Sequence, residues 1–395
     1  MNRAYQKTIY ACFIGYIVQA IVNNFVPLLF VMFQTSYQIP MSQITLLITL
    51  NFLIQLLVDA LAGRFVPKLG YRFSIVFAHV CAGAGLILLT FLPDLLPSAF
   101  AGILLSVAVY AIGGGLTEVL LSPIMEACPT DNKEAAMSLL HSFYCWGFVG
   151  VVALSTAFFA GFGMERWKLL ALIWACIPLA NAFFFSRVPI KSPEEGEEGG
   201  MSYRQLFSQR IFWVLMLLMI CAGASEQAVS QWASTFAEKG LGLTKTVGDL
   251  VGPMAFAILM GISRLIPGKR GDRLNLDRFM RLSCLLCLVS YLCIALVPNP
   301  AVGVIGCALC GFSVGILWPG TFSKASLAIK GGGTAMFALL ALAGDVGCSA
   351  GPTLAGFAAE AWGDNLRLGI LAAVIFPLLM LVGVLILSKH SKQGG

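Results

Sequence analysis

Gly113-Gly114-Gly115-Leu116-Thr117-Glu118-Val119-Leu120-Leu121-Ser122-Pro123 is the stretch that decides how this chain must be read. Three glycines and one carboxylate stand inside a run, residues 98–125, that is otherwise apolar. A helix needs about 20 predominantly apolar residues to cross the hydrocarbon of a bilayer, and this run is long enough. A carboxylate placed there is costly and marks a functional position by default. The stretch therefore implies that the bilayer is the solvent, and that Glu118 carries a proton or holds a polar ligand.

The composition agrees. Of 395 residues, 58% are hydrophobic and 11% charged, where soluble domains carry about 25% charged residues. The net charge of +6 does not point to nucleic acid. The basic residues sit in short loops between apolar runs, and no basic stripe with interleaved aromatics occurs. Twelve cysteines are present, most of them inside apolar runs. Cys284/Cys287 and Cys307/Cys310 have CxxC spacing, but no His or further Cys flanks either pair as a zinc site requires. They read as small packing residues, and no metal or cofactor is expected. So many free thiols also argue against a large oxidised exterior domain. Arg3 and Lys7 precede an apolar run over 8–33 that is too long for a signal-peptide core, so it is expected to be the first retained span.

Twelve segments qualify as spans: 8–33, 42–66, 73–93, 98–125, 136–160, 167–186, 211–236, 247–267, 280–298, 301–325, 334–358 and 367–388. Transmembrane barrel strands would alternate over about ten residues; these runs are continuous. Residues 189–209 form the longest polar stretch, with Glu194, Glu195, Glu197 and Glu198, and read as a flexible linker. The expected organisation is a six-helix bundle over 1–187, a cytoplasmic linker over 188–209 and a second six-helix bundle over 210–395. The fold class is an all-α membrane protein, twelve transmembrane helices in two pseudo-symmetric bundles.

Loop charge sets the orientation. With the N-terminus inside, 20 of the 25 Lys and Arg fall on the inner side and 5 on the outer. The positive-inside rule then places both termini and the linker in the cytoplasm of a multi-pass cell-membrane protein.

The halves repeat. Gly63-Arg64-Phe65-Val66-Pro67-Lys68-Leu69-Gly70-Tyr71-Arg72 follows the second span, and Gly268-Lys269-Arg270-Gly271-Asp272-Arg273 follows the eighth. Each puts a glycine and then basic residues at the inner end of the second helix of its half. The fifth and eleventh spans correspond too. Ala136-Met137 opens one and Ala335-Met336 the other, followed by Gly147 and Gly150 or by Gly344, Gly347 and Gly351. Such spacing permits close helix approach.

The paired loops resemble the signature of the major facilitator superfamily, Gly-x-x-x-Asp-Arg/Lys-x-Gly-Arg/Lys. The second copy matches at Gly268, Asp272 and Arg273. The first matches at Gly63, Lys68, Gly70 and Arg72, with Pro67 where aspartate is expected. Three patches are similar to the fucose/glucose–proton symporter group of that superfamily: Val22-Asn23-Asn24, Glu118 to Pro123, and Leu317-Trp318-Pro319-Gly320-Thr321-Phe322-Ser323. The resemblance implies that span four lines a central cavity and that Glu118 is the proton-linked glutamate. Pro27 replaces an aspartate of that group, so the second carboxylate is missing, and Ser122 replaces an asparagine.

Four acidic residues lie within spans: Asp59, Glu118, Glu226 and Asp345. Glu118, Glu226 and Asp345 are the candidates for proton coupling; helix-packing glue is the competing role for each. Gln227 with Gln231, and Gln19 with Asn23, share helix faces by their i, i+4 spacing. Together with Asn24 they present amides that suit hydroxyl-rich ligands, each offering donor and acceptor. His141, Tyr144 and Trp146 crowd the start of span five. Trp146, Trp232 and Trp318 have faces on which a sugar ring stacks, and packing is the alternative. Asp59, Arg64, Lys68, Arg72, Arg264, Asp272 and Arg273 lie near inner span ends and are expected to gate.

No phosphate-binding glycine loop, Gly-x-Ser-x-Gly or HExxH motif occurs, so energy is expected from a gradient and no enzymatic activity is expected. The sequence thus points to a secondary active transporter working by alternating access, taking up a small polar solute, a sugar foremost, with protons. Its partners are that solute, protons and the bilayer, with no nucleic acid, and it is expected to be monomeric. The alternative is a proton-coupled exporter of drugs or metabolites, which a lone carboxylate in an apolar cavity also suits.

Overall fold

The computed structural model describes residues 3–129, 133–191, 201–270 and 275–393. Among them, twelve helical segments are long and apolar enough to cross a membrane, and no strand occurs. They run Tyr5–Ser36, Met41–Ala62, Tyr71–Leu95, Ala99–Ala127, Leu139–Phe162 and Met164–Arg187, then Arg210–Gly240, Lys245–Ile266, Leu276–Leu296, Pro300–Ala328, Ala335–Ala361 and Leu366–Ser388, and are numbered spans 1 to 12. The all-helical, twelve-span expectation is borne out. The chain divides into two compact units, Met1–Gly196 and Glu197–Gly395.

The surface is inverted relative to a water-soluble protein. On span 2, Leu46, Leu53, Leu57 and Leu61 are between 41% and 52% exposed, at intervals of seven, four and four that make one helical stripe. Ile375, Leu378, Val382 and Leu385 do the same on span 12. In water such stripes would drive aggregation; against lipid tails they cost nothing.

Lipid supplies no hydrophobic drive between helices, so packing must come from close approach. In the first unit the opening glycines provide it. A Cβ on Gly113 would lie 2.5 Å from the Ala78 carbonyl oxygen of span 3, and one on Gly115 would lie 2.9 Å from Gln55 Cα of span 2. Gly147 brings span 5 to span 1, where a Cβ would sit 3.1 Å from Ile17 Cα. Gly150, expected to do the same, meets nothing within 4 Å. In the second unit, Cβ atoms on Gly347 and Gly351 would lie 2.0 and 2.3 Å from the Ile220 and Ala224 carbonyl oxygens, so span 11 lies flush on span 7. Gly311 and Gly315 bring span 10 onto span 8 at Phe256 and Met260.

Several spans are interrupted. Span 1 breaks at Phe25 and passes through a 3-10 turn, Val26–Leu29, that contains Pro27. Span 7 turns at Gln231 and Trp232 and widens to a π-turn over Phe236–Gly240. Span 8 carries a second π-turn, Leu250–Met254, around Pro253, and span 10 turns at Gly315 and Ile316. Each unit's first span therefore breaks directly beyond its amide-bearing turn. Discontinuous helices are where transporters build their binding sites.

Polar staples hold the ends. Tyr37 donates to Asp94 at 3.0 Å, and Lys168 pairs with the same carboxylate, tying the neighbourhood of spans 1, 3 and 6. Burial, and then the Asp94 carboxylate, push the Tyr37 phenol up to about 12. In the second unit, Lys245 bridges Glu238 at 3.0 Å and Asp249 at 2.9 Å, and Ser234 donates to Asp249 at 2.6 Å. Lys324 pairs with Asp277, which also accepts from Ser388.

The expected linker is more ordered at its edges than composition suggests. Tyr203–Ser208 is a short helix, with a capping box between Ser202 and Gln205 and Leu206 buried. At the other edge Val188 joins the first unit's core, and Thr8 donates to the Pro189 carbonyl at 2.6 Å. One buried apolar residue at each edge is enough to fix it. The four glutamates between lie outside the described residues.

Replacing Gly347 with alanine forces a backbone clash, and overpacking of this kind costs about 1–3 kcal/mol. The expected outcome is a clearly lowered melting temperature of Gly347→Ala in detergent. Gly150→Ala, with open space at its Cβ, melts at or slightly above the parent temperature, since alanine is the better helix former.

Candidate functional site

In the first unit the site is built from spans 1, 2 and 4. Gln19 Nε2 donates to Glu118 Oε2 at 3.0 Å and to Gln55 Oε1 at 3.0 Å. Gln55 Nε2 donates to Asn23 Oδ1 at 2.9 Å, and Asn51 Nδ2 reaches the same oxygen at 3.2 Å. Gln19, Asn23, Asn51 and Gln55 are buried and Glu118 is half-buried. Asn24 donates to the Ala20 carbonyl at 3.0 Å and to Tyr144 Oη at 3.4 Å. The local cause is visible in the chain. Gln19 and Asn23 are one turn apart on span 1, as are Asn51 and Gln55 on span 2, and Gly114 and Gly115 let Gln55 lie against span 4.

Two acceptors of this cluster, Gln19 Oε1 and Asn51 Oδ1, are buried and have no hydrogen-bond partner among the described residues. A buried acceptor left unmet is uncommon in folded proteins and calls for an account. Both would be met by hydroxyl donors.

Beside this cluster, the Tyr16 hydroxyl stands 3.1 Å from His141 Nδ1 and 3.3 Å from Ser122 Oγ. The two rings meet edge to face at 5.2 Å. His141 and Trp146 are exposed and Tyr144 half-buried, so the crowding expected at the start of span 5 resolves into two side chains bonded to span 1, His141 to Tyr16 and Tyr144 to Asn24, and one exposed indole.

In the second unit the arrangement differs. Glu226 Oε2 accepts from Arg264 Nη2 at 3.2 Å, and its Oε1 accepts from Gln227 Nε2 at 3.3 Å. Gln231 Nε2 then donates to Gln227 Oε1 at 3.1 Å. Arg264, expected at the inner gate, is thus turned toward the carboxylate in the middle of span 7. Asp345 is half-buried on span 11.

The aromatic expectations divide. Trp232 is fully buried and donates to the Pro352 carbonyl at 3.0 Å. Its indole holds span 7 to span 11 and offers no face to a ligand, which corrects the stacking role expected of it. Trp318 is half-buried and lies over Gly344, where a Cβ would come within 2.1 Å of its ring.

Of the expected gating groups, Asp59 is half-buried and Arg64 and Lys68 are exposed. Arg72 donates to the Phe185 and Ser186 carbonyls at 3.1 and 2.9 Å and so caps the C-terminus of span 6, a position where a cation meets the negative end of the helix dipole. Asp272 and Arg273 lie outside the described residues. The sequence reading missed Asn51, Gln55 and Tyr16. For Asn51 and Gln55 a signal existed: with Asp59 they form an i, i+4, i+8 polar row on an otherwise apolar span.

The sequence matches the family described as Major Facilitator Superfamily over residues 12–352. No curated protein matches it. Among solved structures, a bacterial homolog of the human lysosomal transporter Spinster, inward-facing and unoccupied, superposes with a TM-score of 0.74 at 14% identity, covering 98% of each chain. The E. coli fucose:proton symporter superposes with a TM-score of 0.65 at 16% identity, covering 98% of this chain and 99% of that one. At these identities the likeness is one of fold.

Gln19→Leu removes the amide that joins Glu118 to Gln55. Unmet buried groups cost about 1–3 kcal/mol, so the variant is expected to melt lower than the parent in detergent. Gln19→Glu/Glu118→Gln, which exchanges the carboxylate and the amide, is expected to recover at least half of that loss.

Proposed function

This chain belongs to the Major Facilitator Superfamily, and on that premise we propose that it takes up a small polar solute, a sugar foremost, together with protons. It is a multi-pass membrane transporter; solute class, coupling ion and direction are the proposal. The observation that carries it is Glu118, set at one end of a buried row of four amides that leaves the Gln19 and Asn51 oxygens unmet. A carboxylate in hydrocarbon is a group that can take a proton in exchange for its charge. Amides that still lack donors suit hydroxyl groups. A solute rich in hydroxyls and a proton thus find their binding groups on the same three spans.

The same reading takes the protein as a monomer in the cell membrane; the 20-to-5 distribution of its basic residues supports both termini lying in the cytoplasm. Alternating access supplies the cycle, and the breaks in spans 1, 7 and 10 supply the irregular backbone that such sites use.

The test is uptake into proteoliposomes under an imposed pH gradient. A panel of labelled hexoses, pentoses and polyols is expected to contain a solute that accumulates only when the gradient is present. Glu118→Gln is expected to lower that accumulation at least tenfold while solute exchange without a gradient persists. Unchanged gradient-driven accumulation in the variant would refute the role given to Glu118.

A further inference from the structure

The second unit holds a group that uptake of a neutral solute leaves unused. Arg264 lies near the end of the apolar part of span 8, in a helix that runs on to Arg270. An arginine so close to a span end ordinarily snorkels outward, laying its stem along the helix and its charge among the headgroups. Here it turns to Glu226, sixteen residues into span 7 from Arg210. The two groups meet at 3.2 Å. Both side chains keep some accessibility, 22% for Arg264 and 10% for Glu226.

The surroundings fit an exchangeable partner. Glu226 does not depend on the guanidinium alone, since Gln227 holds its other oxygen and Gln231 holds Gln227. That amide row ends at the break in span 7, at Gln231 and Trp232. Span 8 is pressed onto the break of span 10, where Gly315 meets Met260 and Ser263, the residue before Arg264. The guanidinium therefore stands where two interrupted spans converge, already holding one singly charged carboxylate that belongs to the protein.

We propose that Arg264 binds the carboxylate of a small hydroxylated organic acid, and that Glu226 takes its place when no solute is bound. This rests on the transport reading above and narrows it to acidic solutes of the sugar-acid type. The competition has a signature that a purely structural ion pair lacks. Removing Glu226 frees the site and strengthens anion binding; removing Arg264 abolishes the preference for anions. Were the pair only glue between spans 7 and 8, both changes would weaken binding together.

The experiment is equilibrium binding of D-gluconate, D-glucose and D-glucose 6-phosphate to the purified full-length protein in detergent at fixed ionic strength. Flux of the same three solutes into proteoliposomes is measured alongside. The parent is expected to bind gluconate at least tenfold more tightly than glucose. Glu226→Gln is expected to tighten gluconate at least threefold, and Arg264→Gln to weaken it at least tenfold with little change for glucose. Arg264→Lys, which keeps the charge without the planar fork, is expected to fall between. If Arg264→Gln does not yield folded protein, Glu226→Gln/Arg264→Gln removes both charges at once and is expected to show the same loss of preference. Weaker gluconate binding in Glu226→Gln, or tighter binding of glucose 6-phosphate than of gluconate, overturns the proposal. Glucose binding and flux with no preference for gluconate overturns it while leaving the transport reading intact. Absence of binding and flux for all three overturns it, and only failure of the wider solute panel removes the transport reading as well.

Discussion

Hydrocarbon cannot hydrogen bond, and the structure follows from that constraint. It makes every span a helix, because only a helix satisfies its own backbone. It also gathers the polar side chains. Gln19, Asn23, Asn51 and Gln55 have no water to turn to, so they turn to each other and to Glu118. Where spans 1 and 7 break, at Phe25 and at Gln231 and Trp232, the irregular backbone follows directly on amide-bearing turns.

Holding the spans together is a separate matter. Hydrogen bonds between membrane helices are worth only about 0.6 kcal/mol each on average. Four of them position the cluster but do not clamp three helices. The clamping comes from glycine contacts at Gly113, Gly115, Gly347 and Gly351, where backbones touch with no room for a methyl group. Gly115 serves both ends, because the space it leaves is filled by Gln55 of the amide row. Packing and site are joined at that residue.

The two units repeat a pattern but not a chemistry. Each first span carries amides one turn apart and then breaks. In the first unit the carboxylate near those amides accepts from a neutral side chain, Gln19; in the second it accepts from a cation, Arg264. A row of amides with unmet oxygens suits hydroxyls, and a guanidinium suits an acid. The repeat has therefore placed two different polar groupings on similarly interrupted spans.

Continuous apolar runs of the right length settled the number of spans and the class of fold, since span length is set by bilayer thickness and needs no partner. Glycine spacing announced close approach, and Gly347 and Gly351 deliver it, while Gly150 meets nothing: spacing gives a face and cannot say what lies opposite. Single-span signals worked the same way for function. Glu118, Gln19 and Asn23 stand out as polar groups in apolar runs, yet their joining through Gln55 and Asn51 required span 2 to be laid beside spans 1 and 4. Trp232 and Arg264 could be named from the sequence but not assigned. One is enclosed by Pro352 and the other turned to Glu226, and those partners, 120 and 38 residues away, are chosen by tertiary packing alone.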